Sequence, residues 1–220
     1  MFTFPEFGLE FFLTSFVRLM IIFLILPVHE FAHAWTANKL GDHTSKYMGR
    51  LTLSPFAHID IVGAIFLFVF GFGWAKPVPV NPAHFKKPRL GMLLTAIAGP
   101  ASNLVAAFIG VCALQIIASV AVIDDVMGYI VLMLQFFINI NIGLAVFNMI
   151  PVPPLDGSKV LSYFTSYKVD KWIFENQRTF YIIVIVLMAT GILSTPLNIL
   201  SYLIERGMYF ITSWIPMLLG

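Results

Sequence analysis

His29-Glu30-Phe31-Ala32-His33 brings two imidazoles and a carboxylate together within one short stretch. On a helix, positions i and i+4 fall about 40° apart, so both rings point to one side. That spacing suits two ligands of one zinc ion, and Glu30 between them can serve as general base toward water. The setting is apolar: Leu19 to Val28 holds no charged residue. Ionisable groups at membrane depth are costly and by default mark a functional site. The pattern points to metal-dependent hydrolysis within or at the edge of a bilayer, with one Zn2+ per chain. The plainer reading is a pair of core or interfacial histidines.

Two histidines do not complete a catalytic zinc site, which usually takes three protein ligands plus water. His43, His58 and His84 stand in polar loops and read as solvated residues, with any assisting role left open. Asp156 stands in the proline-rich break Pro151-Val152-Pro153-Pro154-Leu155-Asp156-Gly157. Its carboxylate either completes a set of two histidines and one carboxylate or N-caps a helix restarting at Gly157. Asn103 and Asn148 are neutral donors that enter a membrane without an ionisation penalty. They either steady an oxyanion and the substrate backbone or tie helix to helix.

The elements that must position these residues are membrane segments. Hydrophobic residues make up 59% of the 220 and charged residues 11%; a soluble domain holds about 45–50% and 25%. With a mean hydropathy of +0.90, the chain reads as an all-α polytopic membrane protein, a single transmembrane domain over residues 1–220. About four to six membrane segments are expected. Segment one runs from about Phe11 to Leu40, with Pro27 a candidate kink ahead of His29. From Arg18 to Lys39 is ~32 Å of helix, about one bilayer core. Acidic Glu6 and Glu10 replace the basic start of a signal peptide, so this segment reads as retained. Ile61 to Phe72 is short for a span, is punctuated by Gly63, Gly71 and Gly73, and reads as a re-entrant or half-buried helix. Trp74 to Pro82 carries three prolines and alternating valines, which favour an extended, hairpin-like loop.

Segment three runs from about Leu90 to Ile123 and holds the polar interruption Gly99-Pro100-Ala101-Ser102-Asn103. Segment four covers about Val126 to Ile150, and a short restarted helix reaches Tyr167. A polar stretch follows from Lys168 to Arg178. Segment five covers about Thr179 to Ile204, with Pro196 a candidate break, and Trp214 anchors an interfacial end. Basic residues cluster at Lys39/Lys46/Arg50, Lys76/Lys86/Lys87/Arg89 and Lys168/Lys171/Arg178, which places these loops in the cytoplasm and Asp124/Asp125 outside. The site then lies toward the cytoplasmic face. A net charge of +2 spread over several loops argues against nucleic acid. Cys112 is the only cysteine and reads as a small buried hydrophobe, so no disulfide forms within the chain.

His29-Glu30-Phe31-Ala32-His33, Gly99-Pro100-Ala101-Ser102-Asn103 and Asn148-Met149-Ile150-Pro151-Val152-Pro153-Pro154-Leu155-Asp156-Gly157 together resemble the three signature motifs of site-2 proteases. These are zinc intramembrane metalloproteases, and the likeness is to the minimal prokaryotic branch without a PDZ or CBS domain. The resemblance implies that His29, His33 and Asp156 bind zinc, that Glu30 is the general base and acid, and that Asn148 and Asn103 line the substrate or oxyanion site. It implies a transmembrane-helix protein as substrate, cut in regulated intramembrane proteolysis or signal-peptide remnant clearance. It also implies residence in a prokaryotic inner membrane and a 74–82 loop that receives the unwound substrate as an added strand. No signature residue is missing. Two other classes are weighed against it. A transporter or metal carrier using the same His/Asp site calls for an inverted repeat, and the sequence shows none. A noncatalytic scaffold calls for a closed four-ligand site.

Overall fold

The computed structural model describes residues 9–70, 73–120 and 124–219. Glu6, Gly71, Phe72 and Ile123 lie outside the described residues. The first span is helix α1 (Leu9–Met20), a π-helical turn (Ile21–Ile25) and α2 (Leu26–Lys39), continuous in backbone. Pro27 has no N–H for the carbonyl of Phe23 and its ring crowds that turn. The helix responds by widening there, with Leu26 N–H donating back to Ile21 O. The candidate kink is thus a π turn immediately before the histidines.

Short helices α3 (Thr44–Tyr47) and α4 (Pro55–His58) lead to α5 (Ile61–Phe70). The chain enters α5 at Ile59 and returns at Ala75, and these two residues form an isolated antiparallel bridge. Lys76 N donates to His58 O at 2.8 Å beside it. Entry and exit therefore lie side by side, so α5 enters and leaves at one level without crossing. Gly63 and Gly73 allow the return strand to lie against the helix: a methyl on Gly63 would overlap the Trp74 carbonyl, and one on Gly73 would sit 2.6 Å from Leu67 Cβ. Both helix ends are satisfied. Asp60 Oδ1 accepts from Gly63 N at 2.8 Å, and Arg18 of α1 donates to Phe68 O in the last turn. Residues 74–81 form no helix or strand, and among the described residues that single bridge is the whole of their β pairing.

After a 3-10 turn (Pro82–His84), α6 (Pro88–Val120) runs unbroken through Gly99 and Pro100, and α7 (Asp125–Asn148) returns antiparallel to it. Helix α6 is the central post, packed on α7, on α2, and on α8 (Asp156–Phe164). The core is Ala107, Val111 and Leu114 of α6 against Ile138, Ile142 and Val146 of α7, closed by Met208 of α11 (Ser194–Ile211). Among the described residues three helical stretches are long and apolar enough to cross a membrane: Leu13–Lys39, Pro88–Val120 and Asp125–Asn148. Large apolar side chains such as Leu24, Ile65, Ile109 and Ile130 face outward, as an integral membrane protein requires.

Two sequence expectations change. The stretch from Thr179 to Ile204 is two helices, α10 (Gln177–Ala189) and α11, separated at Gly191, whose φ of 69° ends the first. Pro196 falls in the first turn of α11, where its missing N–H costs nothing. The polar stretch after Tyr167 is not a loop. It is helix α9 (Tyr167–Glu175), with Val169, Trp172 and Phe174 exposed between Lys168, Asp170 and Lys171. A final helix α12 (Trp214–Leu219) packs on α6.

The bridged entry and exit of α5 predict the membrane sidedness of three sites. In a Cys112→Ala background, single cysteines at Ser54 and Lys87 react with an impermeant maleimide from one face. A cysteine at Asp125 reacts from the opposite face. Labelling of Ser54 and Lys87 from different faces would make α5 a true span.

Candidate metal centre

Helix α2 presents His29 and His33 on one face, their ring centroids 4.7 Å apart and both side chains buried. Asp156 arrives from the start of α8. Its Oδ2 lies 3.3 Å from His29 Nε2 and 3.1 Å from His33 Nε2, and the two Nε2 atoms are 3.1 Å apart. These three near-equal separations fit a metal test. Donors each ~2.0–2.1 Å from a tetrahedral zinc stand ~3.3 Å from one another. Among the described residues this is the one group of His, Cys, Asp or Glu donors that could hold a metal ion. The N-cap alternative for Asp156 is not taken: Leu155 occupies the N-cap position, and Asp156 is the first helical residue.

Each ligand has a visible support. His33 Nδ1 lies 2.7 Å from Thr95 O of α6. An Nδ1–H donated to that carbonyl leaves Nε2 as a free donor, the second contact that orients a metal-bound histidine. Asp156 is placed by Gly157, where a Cβ would overlap the Met149 carbonyl and lie 2.5 Å from the Ile150 carbonyl. Lys159 Nζ lies 3.6 Å from the other oxygen, Asp156 Oδ1. Opposite them, Gly99 lets the α6 backbone approach both rings. A methyl there would overlap the His33 ring and sit 2.6 Å from His29 Cε1.

Glu30 is half-buried and lies one residue round the helix from His29. Its Oε2 accepts from Val78 N at 3.1 Å. The loop that carries Val78 is held at both ends. Its start is fixed by the bridge at Ala75, and its end by Asp42 just past α2. Asp42 is fully buried; Oδ2 accepts from Asn81 N at 2.7 Å, and Oδ1 accepts from Thr44 N at 3.0 Å, from the Thr44 hydroxyl at 2.5 Å, and pairs with His84 Nδ1 at 2.8 Å. Burial pushes this carboxyl up, but the bonds from Thr44, Asn81 and His84 outweigh it and hold Asp42 below the usual carboxylate range.

The other sequence candidates divide. Asn103 stands one turn after Gly99 on the same α6 face, is wholly buried, and neither side-chain atom has a protein partner. Asn148 is half-buried and donates to Leu144 O of its own helix at 3.0 Å. His43 is exposed, with Nδ1 2.6 Å from Asn38 Oδ1. His84 is exposed but engaged by Asp42. His58 corrects the solvated-loop reading: it is buried, with Nε2 donating to Thr52 O at 2.8 Å. Its loop polarity misleads because α4, which carries it, packs on α2 and the π turn. Asp42, Thr95 and Val78 have no signature in the sequence. Two of them act through backbone atoms, which residue type does not reveal.

A membrane-embedded fold with a centre of two histidines and one carboxylate beside a glutamate defines the class as a membrane metallohydrolase. Comparison with known proteins narrows it. The family model for peptidase family M50 matches residues 17–192. "Putative zinc metalloprotease YwhC" of Bacillus subtilis is 45% identical over 152 residues, covering 67% of this chain and 69% of that protein. "Putative zinc metalloprotease Rip2" of Mycolicibacterium smegmatis is 28% identical over 174 residues, 77% of this chain and 65% of its own. "Putative zinc metalloprotease MJ0611" of Methanocaldococcus jannaschii is 29% identical over 168 residues, 74% of this chain and 76% of its own. The chain thus spans about two thirds to three quarters of these relatives. No solved structure gives a significant match. The chain belongs to peptidase family M50, the family of the site-2 proteases, and is a zinc metalloprotease.

The supports around the ligands and the loop can each be tested. Gly99→Ala pushes both imidazoles off the α6 backbone, so zinc affinity in a chelator competition falls by about tenfold or more with helix content unchanged. For Asp42 the sign is set by its depressed value. Its bonds stabilise the loop in full above the unfolded pKa of ~3.9 and are lost as pH falls through the lower folded one. Asp42→Ala therefore raises limited proteolysis between Lys76 and Phe85 at pH 8, where the wild-type loop resists. Acidifying the wild type below about pH 4 brings it toward the variant.

Proposed function

We propose that this chain is an intramembrane endopeptidase that hydrolyses a peptide bond in or near a transmembrane helix of another membrane protein. One observation carries the reading. The two imidazoles of an apolar, membrane-length helix meet the Asp156 carboxylate, and Glu30 stands beside them with one oxygen already held. His29, His33 and Asp156 hold zinc, which when bound polarises the scissile carbonyl and makes water acidic enough to ionise near neutral pH.

Glu30 then moves the protons. Val78 N–H fixes Oε2, so Oε1 is left to take the proton from water and return it to the departing amide nitrogen. The orphaned carboxamide of Asn103 supplies a donor for the developing oxyanion, and Asn148 positions the substrate backbone from the end of α7. A helical peptide bond is shielded by its own turn, so the substrate must unwind first. The extended 74–82 loop, hairpin-like in outline, pairs with it as an added strand. The basic loops set the active site toward the cytoplasmic side of a prokaryotic inner membrane, in a single domain over residues 1–220, with α10 and α11 adding membrane segments beyond the three long spans. Regulated intramembrane proteolysis and clearance of signal-peptide remnants both suit such a substrate.

Glu30→Gln tests this. Purified protein keeps one zinc per chain, while cleavage of a membrane-protein substrate drops about 10²–10⁴-fold. Cleavage that survives the substitution would remove Glu30 from the chemistry. Zinc flux into liposomes without cleavage would instead favour a metal carrier using the same residues.

A further inference from the structure

A second cluster of polar side chains lies away from the metal centre, at the seam of α7 and α11. Gln135 Nε2 donates to Glu205 Oε1 at 2.7 Å and reaches Asn139 Oδ1 at 3.3 Å. Tyr209 donates its hydroxyl to Gln135 Oε1 at 3.3 Å. Gln135 is ten residues into α7 from Asp125, ~15 Å along the helix and so near the middle of a ~30 Å hydrocarbon core. Glu205 shares that depth through its bond to Gln135. At that depth water does not serve exposed polar atoms. Yet Asn139 is exposed and Glu205 is half-buried. Among the described residues Asn139 Nδ2 and Glu205 Oε2 make no hydrogen bond.

We infer that this face of α7 and α11 docks a second copy of the same chain. The leftover atoms are one amide donor and one carboxylate acceptor, on two side chains that both bond to Gln135. A two-fold axis along the membrane normal brings the Asn139 Nδ2 of each copy to the Glu205 Oε2 of the other, so both orphans are satisfied twice over. The pairing is self-complementary, and it needs no polar residue from any other protein. The surface around it is open. Leu132, two turns before Asn139 on the same face, is 38% exposed. A Cβ on Gly143, one turn after Asn139, meets nothing within 4 Å. The second helix can therefore come close to the backbone.

Disulfide trapping in native membranes tests the dimer. In a Cys112→Ala background, Asn139→Cys and, separately, Leu132→Cys are oxidised and compared with Ile109→Cys, which is 62% exposed on α6. Both α7 variants are expected to give a covalent dimer of this chain at least ~10-fold above the Ile109 control, since a disulfide requires Cα atoms within about 7 Å. Leu132→Cys removes no polar group and so reads the interface even if Asn139→Cys is poorly folded. Equal trapping at Ile109 and Leu132, no dimer from Leu132→Cys, or a crosslink to a different protein would each overturn the proposal. A matching experiment uses Asn139→Leu/Glu205→Leu in nanodiscs. The mass should shift from dimer to monomer with zinc content retained, and a dimer that persists counts against the seam.

Discussion

Three polar side chains from two distant parts of the chain share one small volume in an apolar protein. That is the constraint on which the rest of the fold depends. Without a metal, His29, His33 and Asp156 are a buried polar cluster whose desolvation opposes folding. A metal ion held by the three would offset that cost, because its binding energy is released only once the donors are assembled. The assembly takes three elements: α2 for the rings, α8 for the carboxylate and α6 for the backbone beside them. Gly99 is where this matters most, since the α6 backbone must approach the imidazoles more closely than any side chain permits. The length and central place of α6 follow from the same need. It carries Thr95 O and Gly99 on one edge and the Ala107–Val111–Leu114 core on another.

A general base poses a different positioning problem from a ligand. It must be fixed enough to be aimed and free enough to exchange a proton. In the role proposed for Glu30, backbone would meet both needs. Val78 N–H holds one oxygen of Glu30, and the loop bearing it is tied at Ala75 and at Asn81. Asp42 is the far anchor. As a buried carboxylate satisfied on both oxygens, it resists displacement in a way that an exposed ion pair does not. The loop is thus tied on both sides of Val78, with its middle at the Glu30 carboxylate. Such a segment is also the form that an incoming unwound strand can pair with.

Much of this was legible in residue types. The i, i+4 histidines required a helix and one face, and α2 supplies both. Hydropathy located the three long spans, and the glycines and shortness of the 61–72 stretch showed that α5 turns back. Asp156 was legible only through topology, since nothing local distinguishes a ligand from an N-cap in front of glycine. What stayed hidden is carried by backbone atoms and by packing. Thr95 matters for its carbonyl, Val78 for its N–H, and Gly99 for an absent methyl, so side-chain chemistry gives no sign of them. His58 reads as polar loop because its neighbours do, yet it is buried where α4 packs on α2 and the π turn. The stretch from Thr179 to Ile204 reads as one segment because hydropathy does not register the positive φ that Gly191 adopts.

Polar groups at membrane depth can be sorted by whether they are already satisfied, and the sorting separates scaffold from function. Asn141 donates to Phe137 O and Asn148 to Leu144 O, each within its own helix; Gln115 donates to Thr212 and so ties α6 to the C-terminal end. These bonds cost little and specify packing. Asn103 is different, because both its side-chain atoms are buried and orphaned one turn from the metal centre. Asn139 and Glu205 differ again: they are paired on one side and open to lipid on the other. A bilayer tolerates neither condition for long unless something arrives to complete it. For Asn103 the proposed partner is a reacting oxygen, and for the α7–α11 seam it is another helix. The same physical accounting that excludes water from the core thus singles out the two places where those proposed partners would act.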